Sequence, residues 1–385
     1  MVLYRYILSP KLKSVNKEKE KLMPKSNDLW SKLQKTDKKT VMYGMGNGAD
    51  KILEICSRRG IEIADFFASD GFVRGHSFHG KRVLSYTEAK EKYGEENMIV
   101  LLSFASSLRD VLDLIYKVAD ECELYAPDVP VCGTNLFDVD FYRENLSSIL
   151  KVYNSLADEK SKDVYASVID YKLSGDIKYL KDTHSDFSEV YRDVLKAETF
   201  EYIADLGAYN GDTLREIKPF APNLKTAYAF EPDRRNHKKL CDYSETETAF
   251  EINAYQLAAW DRAEKLVFDG SGNRNATLHS GESLPVTKGA KTVEVNADSL
   301  DNILDGKRVD YIKFDVEGSE AEALFGAHKT IEDCRPALMI SLYHRSEDIF
   351  TLPLLIKEKY PDYKLYIRRR EYIPAWDTVL LAVKN

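Results

Sequence analysis

Cysteine is scarce and unpatterned in this sequence: Cys56, Cys122, Cys132, Cys241 and Cys334 are five in number, and no two stand in a C-x-x-C spacing. An odd set without motif spacing argues against a disulfide frame and a cysteine-ligated zinc site, and fits reduced thiols. No apolar run approaches the ~20 residues of a membrane-spanning helix. The opening stretch "MVLYRYILSPKLKS" is too short and too charged for a secretory signal, so a cytoplasmic location is expected. Basic charge is also in short supply, with 55 Lys and Arg against 63 Asp and Glu and a formal net charge of −8. Nucleic-acid binding needs a concentrated basic surface, and the locally basic stretch Lys11–Lys25 reads as a solvated tail.

What is present is the composition of a soluble globular protein, 44% apolar and 31% charged over 385 residues. That length exceeds one typical domain, and two are expected. Residues 26–36 read as a short helix with Ser26 or Asn27 as N-cap. From residue 40, "TVMYGMGNGADKILEICSRRGIEIADFFASD" gives strand, Gly-rich turn, helix and strand, followed by strands 82–86, 98–104 and 122–127 with helices 87–93 and 107–119 between them. Strands alternating with helices imply a parallel sheet. The turn Gly44–Gly48 is a candidate phosphate cradle at a helix N-terminus, or simply a tight turn. His76 and His79 stand three apart without a further ligand cluster, so zinc is not expected there. Residues 141–195 carry apolar residues at helical spacing and predict helices at about 138–156 and 159–173, lying over the open edge of a crevice in the C-terminal half of the chain.

The most informative stretch is "EYIADLGAYNGDTLREI" (201–217), an apolar strand ending at Asp205 that turns through Gly207 and Gly211 into a helix opened by Asp212 and Thr213. Glycine lets the backbone approach a ligand closely. Twenty-six residues after Asp205, the strand "TAYAF" ends in Glu231, Pro232 and Asp233, where an acid can bind ribose hydroxyls. The turn reads G-A-Y-N-G, without the third glycine of a dinucleotide-binding G-x-G-x-x-G. It suits a nucleoside with an amino-acid tail, S-adenosylmethionine (SAM). A third and a fourth strand region are expected within "FEINAYQLAAWDRAEKLVFDG" (250–270), and "VDYIKFDVEGSE" (309–320) is a buried strand ending in Asp315, Glu317 and Gly318. Ligands bind outside the carboxyl ends of strands in such sheets, so Asp205, Glu231, Asp315 and Glu317 are expected in one crevice.

This order of motifs resembles the FkbM family of SAM-dependent methyltransferases, through "DLGAYNGDT" (205–213), "FEPD" (230–233), "LAAWD" (257–261), "IKFDVEGSEAEAL" (312–324) and "ISLYHRSEDIFTLPLLI" (340–356). It covers roughly residues 196–385; "GNRNATLHSGE" (272–282) falls where relatives vary. The resemblance implies two Rossmann-like α/β domains joined by a helical connector, the C-terminal one a class I SAM-dependent methyltransferase fold. The expected division is an N-terminal arm and short helix (1–37), an N-terminal Rossmann-like domain (38–140), the connector (141–195) and the methyltransferase domain (196–385). The expected cofactor site comprises Asp205, Gly207, Ala208, Asn210, Gly211, Asp212, Thr213, Glu231, Pro232, Asp233, Ala259 and Asp315. The resemblance implies O-methylation of a hydroxyl on a sugar, glycan or natural product, and the N-terminal half suggests a nucleotide-sugar or carrier-linked sugar, with Gly44–Gly48 as its place. The alternatives are N- or C-methylation of a sugar or small molecule, or a sugar-nucleotide-binding protein whose methyltransferase fold has lost turnover. No Asn-Pro-Pro-aromatic signature occurs, which with the acidic charge counts against DNA methylation.

Methyl transfer to oxygen requires positioning of the acceptor and removal of its proton. Three groups are candidates: Asp315, Glu317 and His344, the last following the strand "ALMISLY", with an imidazole able to accept a proton at neutral pH. Glu320 is read as making a capping contact with Ser319 or the local backbone. Asp315 and Glu317 could hold Mg²⁺; SAM is the expected cofactor, and a divalent metal is admitted but not expected.

Overall fold

The computed structural model describes residues 22, 28–73, 75–269, 278–279 and 292–384. Most of the basic stretch 11–25, the caps assigned to Ser26 and Asn27, and most of the variable segment 272–282 lie outside them. Asp28 caps helix Leu29–Lys35 by accepting from the Ser31 amide.

The first sheet has five parallel strands in the spatial order Leu84–Ser85, Asp65–Ala68, Lys39–Tyr43, Met98–Leu102, Glu123–Tyr125. Counted along the chain this is 3-2-1-4-5, a doubly wound, Rossmann-like arrangement. "MIVLL" is buried along its whole length, as expected for a strand covered on both faces. Helices Asn47–Arg58 and Arg109–Glu121 each bury a stripe, Ala49, Ile52 and Cys56 in one and Leu112, Ile115 and Val118 in the other.

The second sheet has seven strands in the order Glu251–Tyr255, Thr226–Phe230, Tyr202–Leu206, Tyr311–Phe314, Ala337–Ser341, Thr378–Lys384, Tyr363–Arg369. In chain order this is 3-2-1-4-5-7-6, parallel except for Thr378–Lys384, which runs antiparallel to both neighbours. The stretch 250–270 divides: Glu251–Tyr255 is the edge strand of this sheet, whereas Ala258–Ala259 and Glu264–Asp269 join Thr292–Asp298 and Leu278–His279 in a separate small sheet.

Helices Val139–Ser155 and Glu159–Ser174 connect the two sheets. Asp158 caps the second helix through the Ser161 amide, and Gly175 closes it in the left-handed conformation. From Val164 to Ser174 nearly every residue is buried. At one end the Ser161 hydroxyl accepts the Ile367 amide at 3.0 Å, and Arg368 pairs with Asp158 at 2.6 Å. At the other, the Tyr171 hydroxyl donates to the Ala126 carbonyl at 2.9 Å and Lys172 pairs with Asp128 at 2.7 Å. The connector aromatics Tyr153, Tyr165 and Tyr171 are therefore core. One apolar cluster runs from Val41 and Val100 through Ile169 and Tyr171 to Ile312, Leu365 and Ile367.

The carboxyl ends of the two sheets face each other. The Cys132 amide donates to the His344 carbonyl at 3.0 Å, the Ser346 hydroxyl donates to the Asn135 carbonyl at 2.6 Å, and Ser106 and Ile373 exchange two backbone hydrogen bonds. Lys51, in the helix after the Gly44–Gly48 turn, donates to the carbonyls of Pro130 and Val131 and fixes that loop.

Candidate functional site

Strands Tyr202–Leu206 and Tyr311–Phe314 run in register, with Asp205 opposite Lys313 and Leu206 opposite Phe314. The chain then turns sharply at Gly207, whose φ is +87°; a Cβ there would stand 1.9 Å from the Asp315 carbonyl oxygen. No other residue fits that approach without moving a paired strand. The amides of Gly207 and Ala208 both donate to the Phe230 carbonyl, at 3.0 and 2.8 Å, drawing the turn over the end of the next strand. Tyr209 holds a left-handed φ of 48° and Glu317 one of 54°. Such conformations cost a non-glycine residue about 1–2 kcal/mol and persist where surrounding contacts dictate them.

Asp205 is 1% exposed, and its Oδ2 makes no hydrogen bond. Burial raises its pKa to about 6, helped by Asp212 and Asp315 and opposed by Lys313. Glu231 ends the adjacent strand, its Oε2 accepting the Tyr209 amide and its Oε1 the Asp233 amide, both at 2.8 Å. Burial outweighs those two donors and raises the carboxyl to about 7. Asn210 Oδ1 is also buried and without a hydrogen bond. These two acceptor atoms beside a turn only glycine permits fit a ligand that brings donors, as a nucleoside with an ammonium tail does. Two predicted members serve local structure: Asp233 caps helix Arg234–Thr246, and Asp212 accepts the Thr213 amide at the start of helix Asp212–Ile217. Ala259 is buried in the small sheet, paired with Asp298.

Lys313 escaped the sequence reading. Its Nζ lies 3.5 Å from Asp205 Oδ1, 3.3 Å from Asp315 Oδ2 and 3.4 Å from the Gly207 carbonyl. Burial disfavours its charge, but Asp205 and Asp315 prevail and hold the ammonium protonated. Along the chain the available signal is a lysine inside the apolar strand "IKFD", two residues before Asp315; its second partner, Asp205, is set by the strand register.

Asp315 accepts the Ser341 and Tyr343 hydroxyls on Oδ1 at 2.8 and 3.0 Å. Burial is overridden by Lys313 and His344, and its pKa falls below the ordinary carboxylate value. His344 is 1% exposed, with Nδ1 2.8 Å from Glu320 Oε1 and Nε2 3.5 Å from Glu317 Oε2 and 3.7 Å from Asp315 Oδ1. Burial opposes its charge, yet Glu320, Glu317 and Asp315 raise it to about 10. Expected as a proton acceptor, the imidazole in this arrangement already holds its proton. Glu320 does not bond Ser319; its Oε1 takes the Val316 and Gly318 amides, the local backbone, together with the imidazole. Glu317 keeps 40% of its side-chain surface, and burial of its carboxyl, with Asp315 and Glu320 nearby, raises it to about 7. Elsewhere, His79 pairs with Asp50 at 2.7 Å and takes part in no metal-ligand group found among the described residues.

Residues 205–374 match the model of the methyltransferase FkbM domain. The methyltransferase FkbM from Methylobacillus flagellatus KT is 22% identical, with 89% of each chain covered and a TM-score of 0.65; it shares the fold across both sheets. The 3-2-1-4-5-7-6 sheet with one antiparallel strand is the class I methyltransferase fold. More distant matches include precorrin-6y C5,15-methyltransferase from Geobacter metallireducens (13% identity, 51% of this chain and 88% of that chain, TM-score 0.29). Fibrillarin from Aeropyrum pernix, with natively bound SAM, matches at 11% identity over 48% of this chain and 66% of that chain, TM-score 0.30. No curated protein matches the sequence.

Proposed function

With residues 205–374 belonging to the FkbM methyltransferase family, we propose that this chain transfers a methyl group from SAM to a hydroxyl oxygen of a sugar, glycan or natural product. The observation that carries the cofactor assignment is the pair of buried, unpartnered oxygens, Asp205 Oδ2 and Asn210 Oδ1, beside the Gly207 turn. A polar atom left unpaired in the interior costs about 1–3 kcal/mol, which a bound donor recovers. Asp205 and the Gly207–Gly211 turn would hold the amino-acid end, and Glu231 the ribose hydroxyls. Bound there, SAM supplies a methyl group already activated on a sulfonium.

The chain's own task is to align the acceptor and take up its proton. Asp315 and Glu317, at the end of the strand that pairs with the Asp205 strand, and His344, after the next strand, would line the place of the acceptor oxygen. Lys313 favours the charged forms of both Asp205 and Asp315. The facing carboxyl end of the first sheet forms the opposite wall, and we assign the bulk of the acceptor to it, with a nucleotide-sugar phosphate near Gly44–Gly48. Residues 196–385 are in this reading the catalytic unit and residues 38–140 the acceptor-binding one.

Titration calorimetry with SAM, followed by turnover assays on nucleotide-sugar and glycan acceptors, tests the proposal. Micromolar SAM binding weakened by ~1.5–3 kcal/mol in Glu231→Ala, the range for a hydrogen bond to a charged group, is expected. Unchanged affinity in that variant refutes the ribose assignment. SAM binding without methylation of any hydroxyl acceptor favours the nitrogen, carbon or non-catalytic alternatives.

A further inference from the structure

His344 is held on one side only. Its Nδ1 is engaged by Glu320 at 2.8 Å, whereas Nε2, in a residue 1% exposed, makes no hydrogen bond. Two carboxylates face Nε2 without closing on it: Glu317 Oε2 at 3.5 Å and Asp315 Oδ1 at 3.7 Å. An imidazolium bonded to a carboxylate would stand at about 2.7–2.9 Å. The separations of Nε2 from each carboxylate, 3.5 and 3.7 Å, match instead a nitrogen and an oxygen ligand on one small cation. With bonds of about 2.1 Å, these separations correspond to ligand–metal–ligand angles of roughly 110–125°, near tetrahedral.

We propose that Asp315, Glu317 and His344 bind one divalent transition-metal cation of the Mn²⁺ or Zn²⁺ type, with Glu320 as the outer carboxylate that orients the imidazole. Asp315, Glu320 and His344 place donor atoms within 4.8 Å of one another. Glu320 is the outer member because its Oε1 already accepts the imidazole and the Val316 and Gly318 amides. A ligating histidine almost always donates its other ring N–H to such a partner, which fixes the tautomer and leaves Nε2 free for the metal. A nitrogen ligand beside two carboxylates favours a transition ion over Mg²⁺, which prefers an all-oxygen, largely hydrated shell. Three protein ligands leave a coordination position open toward the crevice, on the side where the Glu317 side chain keeps 40% of its surface. Metal entry displaces the Nε2 proton and one of the two hydroxyls on Asp315 Oδ1. Resting on the reading of the protein as an oxygen methyltransferase, the open position takes the acceptor hydroxyl and lowers its pKa, so that its proton leaves to water as the new C–O bond forms and the C–S bond of the sulfonium breaks.

The test uses the full chain, stripped with chelator and then titrated with Mn²⁺ and separately with Zn²⁺, with metal content read by mass spectrometry and affinity by calorimetry. One ion per chain is expected, lost in His344→Gln and Glu317→Gln and weakened about 10–100-fold in Glu320→Gln. Glu317 is half-exposed, so its variant keeps the fold if the imidazole variant does not. SAM affinity of the stripped protein stays within a few-fold of the loaded one, since the proposed cofactor residues other than Asp315 lie outside the metal set. No saturable binding of either ion at millimolar concentration overturns the inference, as does binding indifferent to both His344→Gln and Glu317→Gln. Metal binding with these dependences but no SAM binding upholds the cation site and sinks the proposed function alone.

Discussion

Glu231 titrates near neutrality in the free protein, and with ribose placed at Glu231 as proposed, SAM affinity would be pH-dependent. Burial raises its carboxyl to about 7 against the pull of the Tyr209 and Asp233 amides. Ribose hydroxyls donate to the ionised form, so binding favours the carboxylate, and affinity rises as pH climbs through the free-state value and then levels off. With a free pKa of about 7 and a much lower bound one, the affinity penalty is about elevenfold at pH 6, twofold at pH 7 and negligible at pH 8, a span of about tenfold. The stability sign is opposite: a folded pKa above the unfolded one means that the ligand-free protein loses stability from this group as pH rises from about 4.5 to 7. Glu231→Gln removes the charge at nearly constant shape, and should cost roughly ten- to a hundredfold in affinity at pH 8. It should also remove the tenfold pH span. Asp205, raised to about 6 by the same burial, adds a separate step below pH 6.5, which the variant keeps. Calorimetric titrations of both proteins between pH 5.5 and 8.5 decide the matter. A flat wild-type profile, or a variant that retains the upper step, refutes the placement of ribose at Glu231.

Gly207→Ala should lose about 2–5 kcal/mol in denaturant unfolding, from a left-handed φ for alanine and a Cβ driven against the Asp315 carbonyl; a loss under 1 kcal/mol would mean that the two strands separate freely. Lys313→Met strips the counter-charge from buried Asp205 and Asp315 and should destabilise by about 3–5 kcal/mol, seen as a lowered Tm; an unchanged Tm would show the ammonium to be redundant. A chain starting at Lys178 should fail to fold, because it removes helix Glu159–Ser174 from the face of Leu365 and Ile367. A cooperative unfolding transition in that truncated chain would contradict the shared core.

Much of the site could be read along the chain because its carriers sit at strand ends, where hydrophobic periodicity stops and an acid or glycine takes over. Asp205, Gly207, Glu231 and Asp315 were legible this way, as were the helices near 139–155 and 159–174. What was hidden depends on pairing across the sheet. Lys313 meets Asp205 only because two strands 108 residues apart run in register, and one-dimensional spacing carries no register. The capture of His344 by Glu320 joins the loop after one strand to the helix after another, so the histidine read as a free base. The partners of the connector helices are hidden for a related reason. Its apolar stripes announce burial but do not say against which sheet, and one helix supplies cover to both.

That shared helix also sets a measure. Because Tyr171 and Lys172 are fastened to the end of the first sheet while Ser161 and Asp158 grip the edge of the second, the gap between the two facing carboxyl ends is fixed when the chain folds. In the proposed function the two halves would act as the jaws of a set gauge, unlike lobes that close on a hinge. An acceptor anchored at the Gly44–Gly48 wall would present its hydroxyl to Asp315 only if its own length spans that gauge. Selectivity in such an enzyme would be a ruler for distance along the acceptor, read before any group on it is recognised.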